Sequence, residues 1–295
     1  MTPEFMADWV AAAPDAPTRE LRMAVHTILA AVSRAPRLPN HMVLKGGIPL
    51  ALEYQGDRFT RDIDFSTAKT VPDMAGEGVA EEIAAALRLQ VQMLDYGLDC
   101  RIQGHELKPP GENRTWPTLQ LRIGYAPIAD PARHRRLLSG KSPAVLALDL
   151  SYSEVITAVE LVSIPGGAHV QTYALPDLIA EKLRAMLQQP LRHRNRRQDV
   201  YDLYRLLSRP EVQGGPFRAA VLHALQAKSA ARNLEVNRQS IADPEVRRRS
   251  ERDYAYLQAE IASELPDFEQ AYDLRNHSSA DDDVPRRVAC VGLSV

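Results

Sequence analysis

Leu44-Lys45-Gly46-Gly47, fourteen intervening residues, and then Asp62-Ile63-Asp64-Phe65 form the stretch that decides how this chain is read. The apolar run Met42-Val43-Leu44 stops at a glycine pair, as a strand does when it enters a tight turn. In the second segment, period-2 alternation puts both aspartates on one strand face and Ile63 and Phe65 on the other. Glycines after a strand admit a helix N-terminus and its N–H groups close to a phosphate. Two carboxylates on one face repel each other and favour a bound cation, and Mg²⁺ (or Mn²⁺) accepts one or two carboxylates completed by phosphate oxygens. A glycine turn followed by a metal-holding pair describes a nucleoside triphosphate site at Lys45, Gly46, Gly47, Asp62 and Asp64. Each piece alone has a plainer reading, the glycines as a simple turn and the aspartates as a solvated face.

Asp149 lies in the apolar run Val145-Leu146-Ala147-Leu148-Asp149-Leu150. An unpaired charge there is costly, so Asp149 reads either as a third metal or base carboxylate or as the partner of an arginine.

Outward from this centre, Leu21, Val25, Ile28, Leu29 and Val32 mark a helix over 18–35 with Thr18 as its N-cap. A second helix is expected over 79–94, and strands over 98–103, 118–125, 144–152, 155–163 and 168–174. From Pro176 the pattern turns helical, with Leu178, Ile179, Leu183, Met186 and Leu187 as the first apolar stripe. Further helices are expected over 198–208, 216–230, 244–263 and 266–274, then a frayed tail after Asn276. The chain thus divides into an α/β domain over 1–174 and a helical domain over 175–295.

The helical half carries Glu181-Lys182-Leu183-Arg184-Ala185, then Arg196-Arg197-Gln198-Asp199-Val200-Tyr201-Asp202-Leu203 after a basic connector. Asp199 and Asp202 share a helix face. Arg192, Arg194, Arg196 and Arg197 are suited to a phosphodiester backbone, and Lys182 to a phosphate. Pairs of this kind are also routine on exposed helices.

Taken in order, these segments, with Arg58-Phe59-Thr60-Arg61 before Asp62, resemble the AbiEii/AbiGii nucleotidyltransferase-toxin family over roughly residues 20–210. The resemblance implies an α+β fold of the DNA polymerase β-like nucleotidyltransferase type: a mixed sheet with flanking helices, followed by a helical C-terminal domain. It implies a toxin of a type IV toxin–antitoxin system that transfers NMP from an NTP to an RNA 3′ end, with tRNA as acceptor and a cognate antitoxin as protein partner. By the same resemblance Asp62 and Asp64 hold the metal, Thr60 lies beside it, Lys182 contacts the triphosphate and Asp199 completes the active site. Asp149 stands where the general fold places its third carboxylate. Gly47-Ile48-Pro49 departs from the hydroxyl that members commonly carry there, and Gln198 replaces the usual lysine. On this reading Lys182 and Asp199 face the aspartate pair.

Composition agrees with an ordinary globular chain. Its 295 residues carry 36 Lys+Arg against 38 Asp+Glu, a formal charge of −2, with 45% apolar and 25% charged residues. This excludes a disulfide scaffold, wholesale disorder and a histone-like polyanion binder. Cys100 and Cys290 have no metal-ligand spacing and read as reduced thiols, the absence of a long apolar run argues against a membrane, and the expected location is the cytoplasm. Three other functions share parts of the pattern. A small-molecule nucleotidyltransferase uses the same metal site, but the arginines at 192–197, 133–136 and 247–249 favour RNA. A glycosyltransferase uses Asp-x-Asp without the glycine pair, and an inactive nucleotide- or RNA-binding partner would keep the fold alone.

Overall fold

The computed structural model describes residues 5–54, 62–74, 78–111, 116–164, 168–212, 214–237 and 239–273. Two compact units emerge, one of Met1–Glu53, Thr60–Glu154 and Val159–Thr172, the other of Tyr54–Phe59, Val155–Ala158 and Tyr173–Val295. Among the described residues no helix is long and apolar enough to cross a membrane.

The first unit runs α1 (Phe5–Ala11), α2 (Ala16–Arg34), β1 (Val43–Lys45), α3 (Gly47–Glu53), β2 (Asp62–Ser66), α4 (Gly78–Leu94), β3 (Leu98–Lys108), β4 (Thr118–Pro127), α5 (Pro131–Leu138), β5 (Val145–Ser151), β6 (Val159–Ile164) and β7 (Ala168–Tyr173). Among the described residues, seven strands form one mixed sheet in the order β3-β4-β5-β2-β1-β7-β6. β2 is parallel to β5 and antiparallel to β1, and β1 is parallel to β7.

Alternation divides the faces of this sheet. Leu44, Ile63, Phe65, Leu119, Leu121, Ile123, Leu146, Leu148 and Leu150 are all buried on one side, in a core shared with Ile28, Leu29 and Val32 of α2 and Ile83 and Leu87 of α4. The other side carries the polar members of the same strands. α2 begins at a cap made by Asp15, whose carboxylate accepts from Thr18 N at 2.7 Å, so Thr18 is the donor to the cap and not the cap itself.

The second unit is helical: α6 (Leu175–Leu187), α7 (Gln189–Arg192), α8 (Arg197–Leu207), α9 (Gly215–Ala230), α10 (Pro244–Glu251) and α11 (Phe268–Tyr272). α6 packs against α8 and α9.

Three expectations change. Residues 155–158 are not strand, because Asp177 and Lys228 hold them to the helical unit. Asp177 accepts from Ala158 N at 2.9 Å, from Thr157 N at 3.3 Å and from the Thr157 hydroxyl, and pairs with Lys228 at 2.8 Å. Lys228 Nζ also donates to Val155 O at 2.7 Å. The helix expected over 244–263 breaks, since α10 ends at Glu251, Asp253 takes φ of 62° and a 3₁₀ stretch follows over Tyr254–Glu260. α5 was not anticipated, although Asp130 caps it by accepting from Ala132 N and Arg133 N. The tail after Asn276 and Cys290 lie outside the described residues, while Cys100 is a buried free thiol whose pKa burial pushes up.

Candidate active site

Strand register assembles the first set of residues. Lys45 of β1 stands opposite Asp64 of β2, Asp64 stands beside Asp149 of β5, and Asp149 stands opposite Gln120 of β4. Registered neighbours share a face, so Lys45, Asp64, Asp149 and Gln120 form one row across the polar side of the sheet. One pleat along, the row is Asp62, Ala147 and Arg122; one pleat the other way, it is Ser66, Ser151 and Thr118. The structure therefore brings Asp62, Asp64 and Asp149 onto adjacent positions of two parallel strands.

Gly46 makes this packing possible. Its φ is 77°, and a Cβ placed on it would lie 2.5 Å from Asp64 Oδ2. Backbone conformation and the approach of a carboxylate both demand glycine there. Gly47 opens α3, whose Ile48 is buried in the core. Lys45 Nζ donates to Ser151 Oγ at 3.3 Å and lies 3.9 Å from Glu154, which holds the ammonium at the site.

Among the described residues no arginine pairs with Asp149. Gln120 Nε2 donates to its Oδ2 at 2.8 Å, in place of an arginine. Among the described residues, its Oδ1 is buried with no hydrogen-bond partner. Burial pushes the Asp149 carboxyl above the usual range; the Gln120 hydrogen bond opposes this, Asp62 adds to it, and Lys108 and Lys45 oppose it further.

An orphaned carboxylate oxygen beside Asp64 is the kind of group a cation satisfies, and oxygen donors suit a hard divalent ion. Among the described residues no three His, Cys, Asp or Glu side chains are gathered closely enough to form a metal cage on their own. The donor set thus fits an ion held by one or two carboxylates and completed by substrate and water, not a closed protein cage. Thr60 lies outside the described residues.

In the helical unit, Lys182 is buried, and its Nζ donates to Asp199 Oδ1 at 3.1 Å and Asp202 Oδ2 at 2.6 Å. The sequence already suggested that Asp199 pairs with Lys182; that Asp202, on the same face of α8, reaches the same ammonium was not visible in it. The four arginines differ in their surroundings. Arg197 pairs with Glu260 at 2.9 Å, and Arg196 lies 3.9 Å from Asp199. Arg192 and Arg194 are exposed. Partial burial and then the like charges of Arg232, Arg194 and Arg184 push the pKa of Arg192 down, which marks a concentration of positive charge. The cluster at 247–249 is neutralised locally, Arg247 by Glu269 and Arg248 and Arg249 by Glu245. In the cluster at 133–136, Arg133 is bound to Glu20, and Arg135 and Arg136 are exposed.

Comparison with known proteins adds an independent finding. Residues 27–274 match the family model described as "Nucleotidyl transferase AbiEii toxin, Type IV TA system". Among solved structures, the chain resembles MenT4, nucleotidyltransferase toxin Rv2826c from Mycobacterium tuberculosis H37Rv, with a TM-score of 0.53 and 18% identity over 92% of this chain and 86% of that one. A second match, a putative nucleotidyltransferase from H. pylori, has a TM-score of 0.35 and 14% identity over 82% of this chain and 97% of that one. No significant match is found among curated proteins.

Proposed function

The chain belongs to the AbiEii family of nucleotidyltransferase toxins of type IV toxin–antitoxin systems, and from that premise we propose that it transfers NMP from an NTP to the 3′ end of tRNA. The family makes it a nucleotidyltransferase with an NTP substrate and implies an antitoxin. The observation that carries the finer reading is the register of Asp64 beside Asp149, with Asp62 one pleat away, on the face of the sheet turned from the core.

Asp62 and Asp64 would hold a divalent ion, Mg²⁺ by preference, with Asp149 beside Asp64 as the proton acceptor. When bound, that ion supplies charge neutralisation at the α-phosphate and the leaving pyrophosphate. The acceptor 3′-oxygen forms the new bond to the α-phosphorus while the bond to the bridging oxygen of the pyrophosphate breaks. Asp149 takes the hydroxyl proton, and Lys45, tethered by Ser151, stabilises the departing negative charge. Lys182 is read as the triphosphate lysine and Asp199 as the carboxylate that sets its position, with Asp202 sharing that task. Arg192 and Arg194 support RNA as acceptor, because clustered exposed guanidinium groups fit a phosphodiester backbone. The protein works in the cytoplasm, where tRNA and NTP are found.

Transfer of labelled nucleotide from each of the four NTPs, offered tRNA and aminoglycosides as acceptors with and without Mg²⁺, tests this reading. Label is expected on tRNA only and only with metal. Asp62→Asn should abolish transfer while leaving thermal stability intact, since one of two repelling carboxylates is removed from an exposed position. Label on the aminoglycoside would replace the RNA reading, and full activity of Asp62→Asn would remove the metal site.

A further inference from the structure

We propose that Arg122 is a binding residue for the acceptor strand, gripping a phosphodiester near its 3′ end in a notch floored by Ala147 and walled by Asp62. The inference rests on the transferase reading above and deepens it by placing the second substrate.

The notch follows from register. Arg122 stands opposite Ala147 on one side, and Ala147 stands beside Asp62 on the other. With strands about 4.8 Å apart, the Cα atoms of Arg122 and Asp62 lie roughly 10 Å from each other, separated only by a methyl group. Arg122 and Asp62 are exposed, and Ala147 is half-buried, so the floor is open. One pleat beyond Arg122 the surface closes, because a Cβ on Gly124 would meet Ser142 Cβ at 2.8 Å and Gln103 at 2.9 Å. The result is a short gap between a carboxylate and a guanidinium, open along the row of Asp64, Asp149 and Gln120.

Arg122 is also unlike most arginines around it. Arg101 is bound to Asp99 and Arg133 to Glu20. Among the described residues, the Arg122 side chain has no hydrogen bond or ion pair. An exposed guanidinium left unpaired on the same sheet face as the carboxylate row has its donors available, and a phosphodiester accepts them in bidentate geometry.

The sheet order determines which substrate this is. The carboxylate strands β5 and β2 lie in the middle, with β1 and its Lys45-Gly46-Gly47 turn on one side and β4 with Gln120 and Arg122 on the other. In-line displacement puts entering and leaving groups on opposite sides of phosphorus. If pyrophosphate departs toward Lys45, the attacking strand enters from β4. α5 packs on β3 and β4 and exposes Arg135 and Arg136, which continue the positive path away from the notch.

The test compares the unmodified chain with Arg122→Gln and Arg122→Lys. One arm measures tRNA binding against salt with no NTP present; the other measures KM for tRNA and for NTP separately. Arg122→Gln should raise the KM for tRNA by about tenfold, as expected for one charge-assisted contact, and reduce the salt slope by about one. The KM for NTP should stay within about twofold, and Arg122→Lys should recover part of the salt slope but less of the KM. An unchanged salt slope and tRNA KM in Arg122→Gln overturns the assignment, as does a rise confined to the KM for NTP. Absence of transfer by the unmodified chain, with salt-dependent tRNA binding that Arg122→Gln weakens, would instead sink the transferase reading and leave the contact standing.

Discussion

At the scale of single residues, the site depends on the absence of one side chain as much as on the presence of three carboxylates. Gly46→Ala forces an L-residue into a left-handed backbone, at a cost of about 1–2 kcal/mol, and drives its methyl into Asp64 Oδ2. The expected outcome is a melting temperature lowered by roughly 3–8 °C and loss of transfer, measured by calorimetry and labelled NTP. Retention of full activity would show that Asp64 can relocate at no cost. His26 provides a pH prediction. Burial, with Arg34 adding, pulls its pKa from 6.5 down to about 4, and Nδ1 meets the Tyr96 hydroxyl at 2.7 Å. Because the folded ring resists a proton that the unfolded chain accepts, stability is complete above about pH 6.5 and falls as pH drops toward 4, by about 3 kcal/mol in all. Urea unfolding across that range should show the slope, and His26→Gln should flatten it.

At the scale of elements, β2 was legible because its alternation is strict and its pleat needs no partner to be recognised. Gln120 was not. It is an ordinary polar position on an alternating strand until the register of β4 against β5 sets it across from Asp149. α5 lacked the signal of an apolar stripe: eight residues bury only Leu137, so its cap, Asp130-Pro131, was the sole cue. Residues 155–158 look like strand because Val155 and Ile156 favour one, yet their hydrogen bonds go to Asp177 and Lys228, side chains at least 19 positions away. That attachment is strong. Lys228 is 3% exposed and Asp177 0%, and Lys228 also lies 4.1 Å from the Tyr173 ring centre. Lys228→Met leaves a buried carboxylate without its cation and should cost about 3–5 kcal/mol in thermal or urea unfolding. Adding Asp177→Asn should return part of that loss. If the single variant is as stable as the unmodified chain, the pair contributes no stability.

At the scale of the whole molecule, residues 27–274 match one family model, and both units bring motifs to it. The sheet unit carries the glycine turn and the aspartates, and the helical unit carries Lys182, Asp199 and the exposed Arg192 and Arg194. In the sequence, strand alternation gives way to a helical stripe at Pro176, and the longest continuous part of the second unit starts at Tyr173. That pattern did not reveal that Val155–Ala158 belongs to the second unit before β6 and β7 return to the first.

The parallel pairing of β1 with β7 also governs the order in which the chain can mature during its synthesis. The Thr172 hydroxyl donates to Leu44 O across a separation of 128 positions. A ribosome must therefore release nearly the whole sheet unit before the strand that ends at Lys45, just before Gly46, gains its second neighbour, and contacts so distant form slowly. Until then β1 is an open edge beside a strand that already carries both aspartates, so a nascent toxin holds its carboxylates before it holds its glycine turn firmly. Pulse-labelled hydrogen exchange during refolding should show the β1 amides becoming protected no earlier than those of β7; earlier protection would mean that β2 alone stabilises the strand. Such timing delays the arming of a toxin until the last strand of its sheet has left the ribosome.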